Sequence, residues 1–90
     1  MAFQLVRTEK FKKQFKKFSA PERKQIANKL VLLSQNPNHP SLRTKPVQGV
    51  HKIKLYESSM NMDLRVLWFY EGSQIIILSE VGHHDIFKKF

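Results

Sequence analysis

The sequence predicts an α+β fold with the order β-α-α-β-β-β, in which a helical hairpin packs on a small, antiparallel-rich sheet. Three observations favour it. The 90-residue chain suits one domain, residues 1–90, with a modest core. Apolar residues recur at helical spacing in its first third and alternate with polar residues in its second half. Its 41% hydrophobic content, with three Gly and four Pro, is typical of a folded domain.

The first predicted elements are a short strand and an amphipathic helix. Phe3–Arg7 is the strand, because its apolar and polar residues alternate. Thr8 is placed to cap a helix over Glu9–Phe18. Three rings share one stripe of this helix: Phe11, Phe15 and Phe18. These rings could stack on bases, but their helical spacing favours packing in the core, and we assign them to it.

A second helix is predicted from its start and stop signals. Ser19 and Glu22 form a capping-box pattern, in which each residue can satisfy a backbone N–H of the other. The helix is expected to end near Gln35, because a residue before proline, here Asn36, disfavours the α region. One apolar stripe faces the core: Ile26, Leu30 and Leu33.

The rest of the chain is predicted to be a loop and three strands. Residues 36–49 contain three Pro and one Gly, so we expect a long connection there. The glycine in Glu71-Gly72-Ser73 favours a hairpin turn between the last two strands. Gly82 is expected to end the last strand, and a short terminal turn carries Phe87 and Phe90. The predicted strands are Val50–Glu57, Asp63–Tyr70 and Gln74–Val81.

Strand alternation predicts which polar residues share the exposed face of the sheet. Two apolar residues, Ile53 and Leu55, are expected to face the core. Lys52 and Lys54 then fall together on the other face. The next strand places Arg65 on that same face, opposite a set that is expected to be buried: Leu64, Val66, Trp68 and Tyr70.

These cations and the histidine ending would suit a phosphodiester substrate. Lys52, Lys54 and Arg65 could stabilise charge on a pentacoordinate phosphate, and His84 could exchange a proton near neutral pH. RNA carries its own nucleophile, the 2′-hydroxyl, so neither a metal nor a cofactor is expected. The alternative is that the cations are solvated strand residues and that the two histidines end a turn.

The charge distribution predicts a polyanionic partner. The chain carries a net charge of +9, and residues 1–30 hold nine Lys or Arg against two Glu. Nucleic acid, the ribosome or an acidic protein would suit such a surface, although basic helix faces also keep small proteins soluble. Without cysteine there is no disulfide or thiolate zinc site, and adjacent histidines seldom converge on one metal ion. The apolar runs are too short to span a bilayer, so we expect a cytoplasmic protein without a membrane partner.

Four segments together carry a resemblance to a known family. They are Pro46-Val-Gln-Gly49, His51-Lys-Ile-Lys-Leu55, Met62-Asp-Leu-Arg-Val66 and Val81-Gly-His-His-Asp-Ile-Phe87. With the element order, they resemble the RelE/ParE toxin superfamily, and more closely its RelE and YafQ type mRNA interferases, over nearly the whole chain. The resemblance implies a type II toxin that enters the ribosomal A site, cleaves mRNA and is neutralised by an acidic antitoxin.

The resemblance also implies residue roles. Lys52 and Lys54 are similar to the paired catalytic lysines of RelE-type members, and Arg65 to the arginine that supports the scissile phosphate. His84 and Asp63 are similar to catalytic residues of the YafQ type. Phe87 lies near the C-terminal aromatic residue of the family but has no hydroxyl. The predicted RNA contacts are Lys10, Lys13, Lys17, Arg43, Lys45 and His83.

The leading hypothesis is a ribosome-dependent, metal-independent mRNA endoribonuclease that inhibits translation. Its expected partners are mRNA in the A site, ribosomal RNA and a cognate antitoxin. Two alternatives share the fold: a ParE-like inhibitor of DNA gyrase, and a catalytically inactive protein that only binds an antitoxin. An interferase needs the cationic strand face, whereas a gyrase inhibitor would tolerate loss of Lys54 and Arg65.

Overall fold

The computed structural model describes residues 2–47 and 53–83. Within them, two helices pack on one five-stranded sheet, which confirms the predicted α+β fold. No described helix is long and apolar enough to cross a membrane. The elements are β1 Gln4–Arg7, α1 Glu9–Lys16, α2 Ala20–Gln35, β2 Lys45–Pro46, β3 Tyr56–Ser59, β4 Leu64–Glu71 and β5 Ile75–His83.

The sheet joins the two ends of the described chain. Its strand order is β1-β5-β4-β3-β2, with β1 parallel to β5 and the other neighbours antiparallel. The turn between β4 and β5 contains Gly72 at φ 67°, a left-handed conformation that glycine adopts without steric cost. The first strand therefore lies beside the last, and both helices belong to the connection that precedes the antiparallel strands.

The core lies between the helices and one face of the sheet. Phe11 of α1 and the predicted apolar stripe of α2 are buried, and Phe15 and Phe18 pack against them, so the predicted assignment of these rings to the core is confirmed. The sheet contributes alternating residues of β4 and β5 to the same cluster: Leu64, Val66, Trp68, Ile76, Leu78 and Val81.

Side-chain caps begin both helices as predicted. The Thr8 hydroxyl accepts a hydrogen bond from the backbone N–H of Phe11 (3.1 Å) and also donates to the carbonyl of Leu78 (2.9 Å), so it ties α1 to β5. Ser19 and Glu22 form the complete capping box of α2. α1 ends at Lys16, two residues before the predicted end, and Ser19 is extended (ψ 163°) where α2 begins.

The strand predicted over Val50–Glu57 is wrong in its position. Within the described residues the strand begins at Tyr56, and Ile53 is 48% exposed instead of buried. The Tyr56 ring stacks on Trp68 with 4.8 Å between centroids, so Tyr56 packs against the core where Ile53 and Leu55 were expected to do so. Residues 48–52 lie outside the described part of the chain.

The predicted loop over residues 36–49 contains structure of its own. A 3₁₀ turn spans Pro40–Leu42, and Leu42 is fully buried in the core. The two residues of β2 then pair with β3 and form one edge of the sheet. Proline fits an edge strand because its missing N–H is not needed for pairing on the open side.

β4 and β5 also differ from their predicted limits and faces. β5 continues through Gly82 to His83. Leu67 is buried although it was expected on the exposed face, and Tyr70, which was expected in the core, is 37% exposed. The register shifts by one residue between Leu67, opposite Glu80, and Trp68, opposite Leu78. The extra residue is Ser79 of β5, so the bulge lets Leu78 and Val81, which are three residues apart, both join the core.

A chain of hydrogen bonds fixes Trp68 and the connection before β2. The Trp68 indole N–H donates to the hydroxyl of Ser58 (2.8 Å), whose oxygen is 2.7 Å from that of Thr44. Thr44 in turn donates to the carbonyl of Pro37 (2.6 Å). If the Ser58 hydroxyl donates to Thr44, each of the three donors in this series of hydrogen bonds has one acceptor. Buried polar groups thus link β3, β4 and the loop.

We expect Ser58→Ala to lower the free energy of unfolding by about 1–3 kcal/mol, because it leaves the buried Trp68 N–H without an acceptor. Trp68 is the only tryptophan, so its fluorescence during urea unfolding reports on this site directly. Ser73→Ala, at an exposed turn position, is the control and should stay within about 0.5 kcal/mol of wild type. Equal effects of the two substitutions would contradict the role of the chain.

Candidate active site

The start of β4 and the end of β5 bring an acid and a histidine together. In the β4–β5 register Leu64 lies opposite His83, so Asp63, which precedes β4, lies beside it. The Nδ1 atom of His83 is 2.5 Å from Oδ2 of Asp63. Both side chains are at least half exposed. The carboxylate holds the ring through Nδ1 and leaves Nε2 for proton exchange with a bound molecule.

A cleft opens beside this imidazole. Its volume is about 370 Å³, and it lies between the α1–α2 connection and the end of β5. The ring of Phe18 forms part of its wall, with its centroid 5.9 Å from that of His83. The cleft combines apolar walls with charged groups: Gln14, Lys17, Phe18, Glu22, Val81, Gly82 and His83.

Glu22 supplies a second carboxylate to the cleft. The backbone N–H and the hydroxyl of Ser19 both donate to Oε1 of Glu22, at 3.0 and 2.9 Å. These bonds lower the pKa of Glu22; partial desolvation opposes them, the nearby His83 lowers the pKa further, and Asp63 raises it. Glu22 is therefore ionised at neutral pH and is held in place by the cap of α2.

Arg65 is fixed in place on the other face of the sheet, because it lies opposite Gly82 whereas His83 lies opposite Leu64. Its side chain is only 13% exposed. Nη1 donates to the carbonyl oxygens of Asn61 (2.7 Å) and Leu64 (3.1 Å), and Nε lies 3.7 Å from a carboxylate oxygen of Glu57. A guanidinium held in this way is preorganised, although part of its charge is balanced by the acid.

Glu57 was not predicted to belong to the site. It is buried (8% exposed), and besides Arg65 it lies 3.9 Å from the ammonium of Lys45. A buried carboxylate needs such partners, because removing a charge from water is costly. The signal in the sequence was weak, since Glu57 faces Lys45 only after β2 pairs with β3.

The predicted catalytic residues do not all come together. Asp63 lies beside His83, which was predicted only as an RNA contact, and Arg65 follows two residues later. Lys54 lies 5.7 Å from the Tyr56 ring centroid, whereas Arg65 contacts Glu57. Since consecutive strand residues point to opposite faces, the expectation that Lys54 and Arg65 share one face is corrected. Three further predicted residues lie outside the described part of the chain: Lys52, His84 and Phe87.

The predicted RNA contacts are spread over several surfaces. Lys10 pairs with Glu80 at 3.1 Å and keeps a largely exposed side chain. Lys17 is exposed at the rim of the cleft, and Lys13 is exposed on α1. Arg43 ends the 3₁₀ turn in a left-handed conformation (φ 48°). Their contact with RNA remains a prediction.

The described residues contain no group of three or more His, Cys, Asp or Glu side chains that could hold a metal ion. The pair formed by Asp63 and His83 offers two such groups. Beside the cleft the structure places an oriented imidazole and two carboxylates, Glu22 and Asp63, and the fixed guanidinium of Arg65 lies on the other face of β4.

Comparisons with known proteins identify the fold. No family model and no curated protein sequence matches the chain. It is similar to the archaeal RelE of a RelE–RelB complex from Pyrococcus horikoshii (TM-score 0.75, 13% identity, 92% of this chain and 96% of that one). It is also similar to a YoeB/ParE toxin from Agrobacterium tumefaciens (TM-score 0.75, 15% identity, 91% of this chain and 99% of that one). A third similar structure is YafQ from E. coli (TM-score 0.73, 15% identity, 96% of this chain and 98% of that one). The chain therefore has the fold of RelE-like toxins, which confirms the predicted resemblance at the level of fold.

The capping box should make stability depend on pH. Because the folded-state pKa of Glu22 is lowered, its contribution is present above its unfolded pKa and is lost as pH falls through the folded value. Glu22→Gln keeps a capping-box residue without the titration. We expect the stability difference between wild type and Glu22→Gln in urea unfolding to be constant above about pH 5 and to shrink below about pH 4.

A Ser19→Ala background is the control for this measurement. It removes the hydroxyl that donates to Glu22 and therefore part of the cause of the lowered pKa. The pH dependence of the difference should weaken in that background. An unchanged pH dependence there would contradict the assignment of part of the lowered pKa to the Ser19 hydroxyl.

Proposed function

We propose that this protein is the toxin of a type II toxin–antitoxin system and acts as a ribosome-dependent mRNA endoribonuclease. The observation that carries the proposal is the hydrogen-bonded Asp63–His83 pair beside the cleft, at the end of a sheet with the RelE-like fold. The YafQ and RelE likenesses support the toxin class, and the side chains of the site support the chemistry. A net charge of +9 supports a nucleic acid substrate.

The proposed reaction uses the nucleophile of the RNA. The 2′-oxygen loses its proton to a general base and bonds to the adjacent phosphorus, while the bond from phosphorus to the 5′-oxygen breaks. A general acid gives a proton to that 5′-oxygen. The products are a 2′,3′-cyclic phosphate and a 5′-hydroxyl end, so one proton is taken up by the protein and one is released. No protein nucleophile is consumed.

His83 is the described group best suited to one of these proton transfers. Asp63 accepts a hydrogen bond from Nδ1, so Nε2 is the nitrogen that can exchange a proton with RNA. Arg65 would stabilise charge on the phosphate, and the cleft walled by Phe18 would take a neighbouring nucleotide. The roles of His84, Lys52, Lys54 and Phe87 remain sequence predictions.

The proposed protein partner is a cognate acidic antitoxin. The RelE similar to this chain was solved with RelB, and a YafQ toxin of similar fold was solved in a DinJ–YafQ complex. An acidic chain would complement the strongly basic first third of this protein. Together with mRNA and ribosomal RNA as substrate and docking surface, this partner implies that the protein acts in the cytoplasm.

The test is cleavage of mRNA on programmed ribosomes, mapped by primer extension, with purified wild type and variants. His83→Ala and His84→Ala identify the proton-transfer histidine, which should lose about 10²–10⁴-fold in cleavage rate. Asp63→Asn should also lower the cleavage rate, because it weakens the hydrogen bond that orients the His83 ring. His39→Asn is the matched control, since His39 only caps the 3₁₀ turn and asparagine is also a good cap.

Two other results would replace the proposed activity. Intact mRNA together with inhibition of DNA supercoiling by gyrase would indicate a ParE-like toxin, and that inhibition should then survive Arg65→Ala unchanged. Intact mRNA, normal supercoiling and normal growth on overexpression would indicate a protein that only binds an antitoxin. Equal cleavage by wild type and all three site variants would refute the assigned site.

A further inference from the structure

The connection between β3 and β4 is organised by one side chain. Residues 60–63 make this turn, and the backbone N–H of Met60 donates to the carbonyl of Leu64 (2.8 Å). The Oδ1 atom of Asn61 accepts from the backbone N–H groups of Asp63 (2.8 Å) and Leu64 (2.7 Å). The backbone that carries Asp63 is therefore fixed by a side-chain amide within the turn.

Asn61 also holds Arg65 and reaches a helix. Its carbonyl oxygen accepts from Nη1 of Arg65 (2.7 Å). Its Nδ2 donates to Oε1 of Gln25 on α2 (2.8 Å). The bond to Gln25 orients the amide, because only Oδ1 can then face the two backbone N–H groups. One residue thus connects the carboxylate partner of His83, the guanidinium and α2.

We infer that Asn61 is a positioning residue of the proposed active site and that Gln25 fixes its orientation. The inference rests on the proposed function for its catalytic meaning. Asn61 acts through Asp63 and Arg65, which the proposed mechanism uses to hold the imidazole and the phosphate. A displacement of about 1 Å between such groups costs up to about 10²-fold in rate. The turn therefore sets the accuracy of the site although Asn61 takes no part in proton transfer.

The chemistry of asparagine suits this role. A carboxylate at position 61 would still accept from both backbone N–H groups, but it could not donate to Gln25 and would place a second negative charge near Asp63. Alanine would remove both the acceptor and the donor while leaving the carbonyl that receives Arg65. The two substitutions therefore separate the effect of the acceptor from that of the donor.

The first readout is the tautomer of His83, measured from its imidazole ¹⁵N chemical shifts at a pH where the ring is neutral. Asp63 favours the form that carries its proton on Nδ1. We expect Asn61→Ala to lower the Nδ1–H fraction, because Asp63 is no longer held beside the ring. Asn61→Asp should restore much of that fraction. The matched control is Asn28→Ala, an exposed asparagine on α2 that should leave the fraction unchanged.

The second readout is cleavage on programmed ribosomes. Asn61→Ala should lower kcat by about 10–10²-fold with little change in KM, because the turn orients the reacting groups and contributes little to binding. Asn61→Asp should recover part of the loss. Gln25→Ala should change both readouts in the same direction as Asn61→Ala but less, and it serves as the test variant if Asn61→Ala does not fold.

The two proposals can fail separately. If wild type does not cleave mRNA, the proposed function is wrong, while the tautomer of His83 still tests the positioning role. If folded Asn61→Ala and Gln25→Ala both match Asn28→Ala in tautomer fraction, the positioning role is refuted. A loss of cleavage in Asn61→Ala that Asn61→Asp does not restore, with an unchanged tautomer, would also refute it.

Discussion

The register between β4 and β5 is the constraint on which both the core and the candidate site depend. A slip of one residue would move every side chain of a strand to the opposite face. The observed register has a bulge at Ser79 that directs both Leu78 and Val81 into the core. Beyond the bulge it places His83 opposite Leu64 and therefore beside Asp63. The packing of Leu64, Val66 and Val81 in the core therefore goes with the register that brings an acid and an imidazole together at the end of the sheet.

Charge on the sheet is balanced locally before any substrate binds. Glu57 is buried near Arg65 and Lys45, and the Asn61 carbonyl receives the same guanidinium. Such a network is costly to form, because each charge leaves water, and it contributes precision of placement more surely than it contributes stability. An arginine that is held before binding loses little conformational entropy when it meets a phosphate.

The fold and the function of this protein rest on different kinds of evidence. Fold likeness at 13–15% identity establishes architecture, since proteins of this fold include RelE, YafQ and YoeB/ParE toxins. Function depends on the side chains that the fold carries. Here these are an oriented imidazole at an open cleft and, on the other face of β4, a fixed guanidinium, and the proposed phosphodiester chemistry rests on them.

Local features could be predicted from the sequence by itself. The caps at Thr8 and Ser19, the end of α2 before Pro37 and the aromatic stripe of α1 follow from residues within a few positions of one another. The fold class followed from the order of these elements. The family resemblance needed only the spacing of motifs along the chain.

Only the tertiary structure decided the composition of the site. The pairs Asp63–His83 and Arg65–Glu57 join side chains on different strands, so they exist only once register and strand limits are set. The sequence alone predicted Lys54 beside Arg65, because Lys54 was placed in a strand over Val50–Glu57. The observed strand, β3, begins only at Tyr56. Asn61 was not predicted at all, since its role lies in a turn whose hydrogen bonds require the folded backbone.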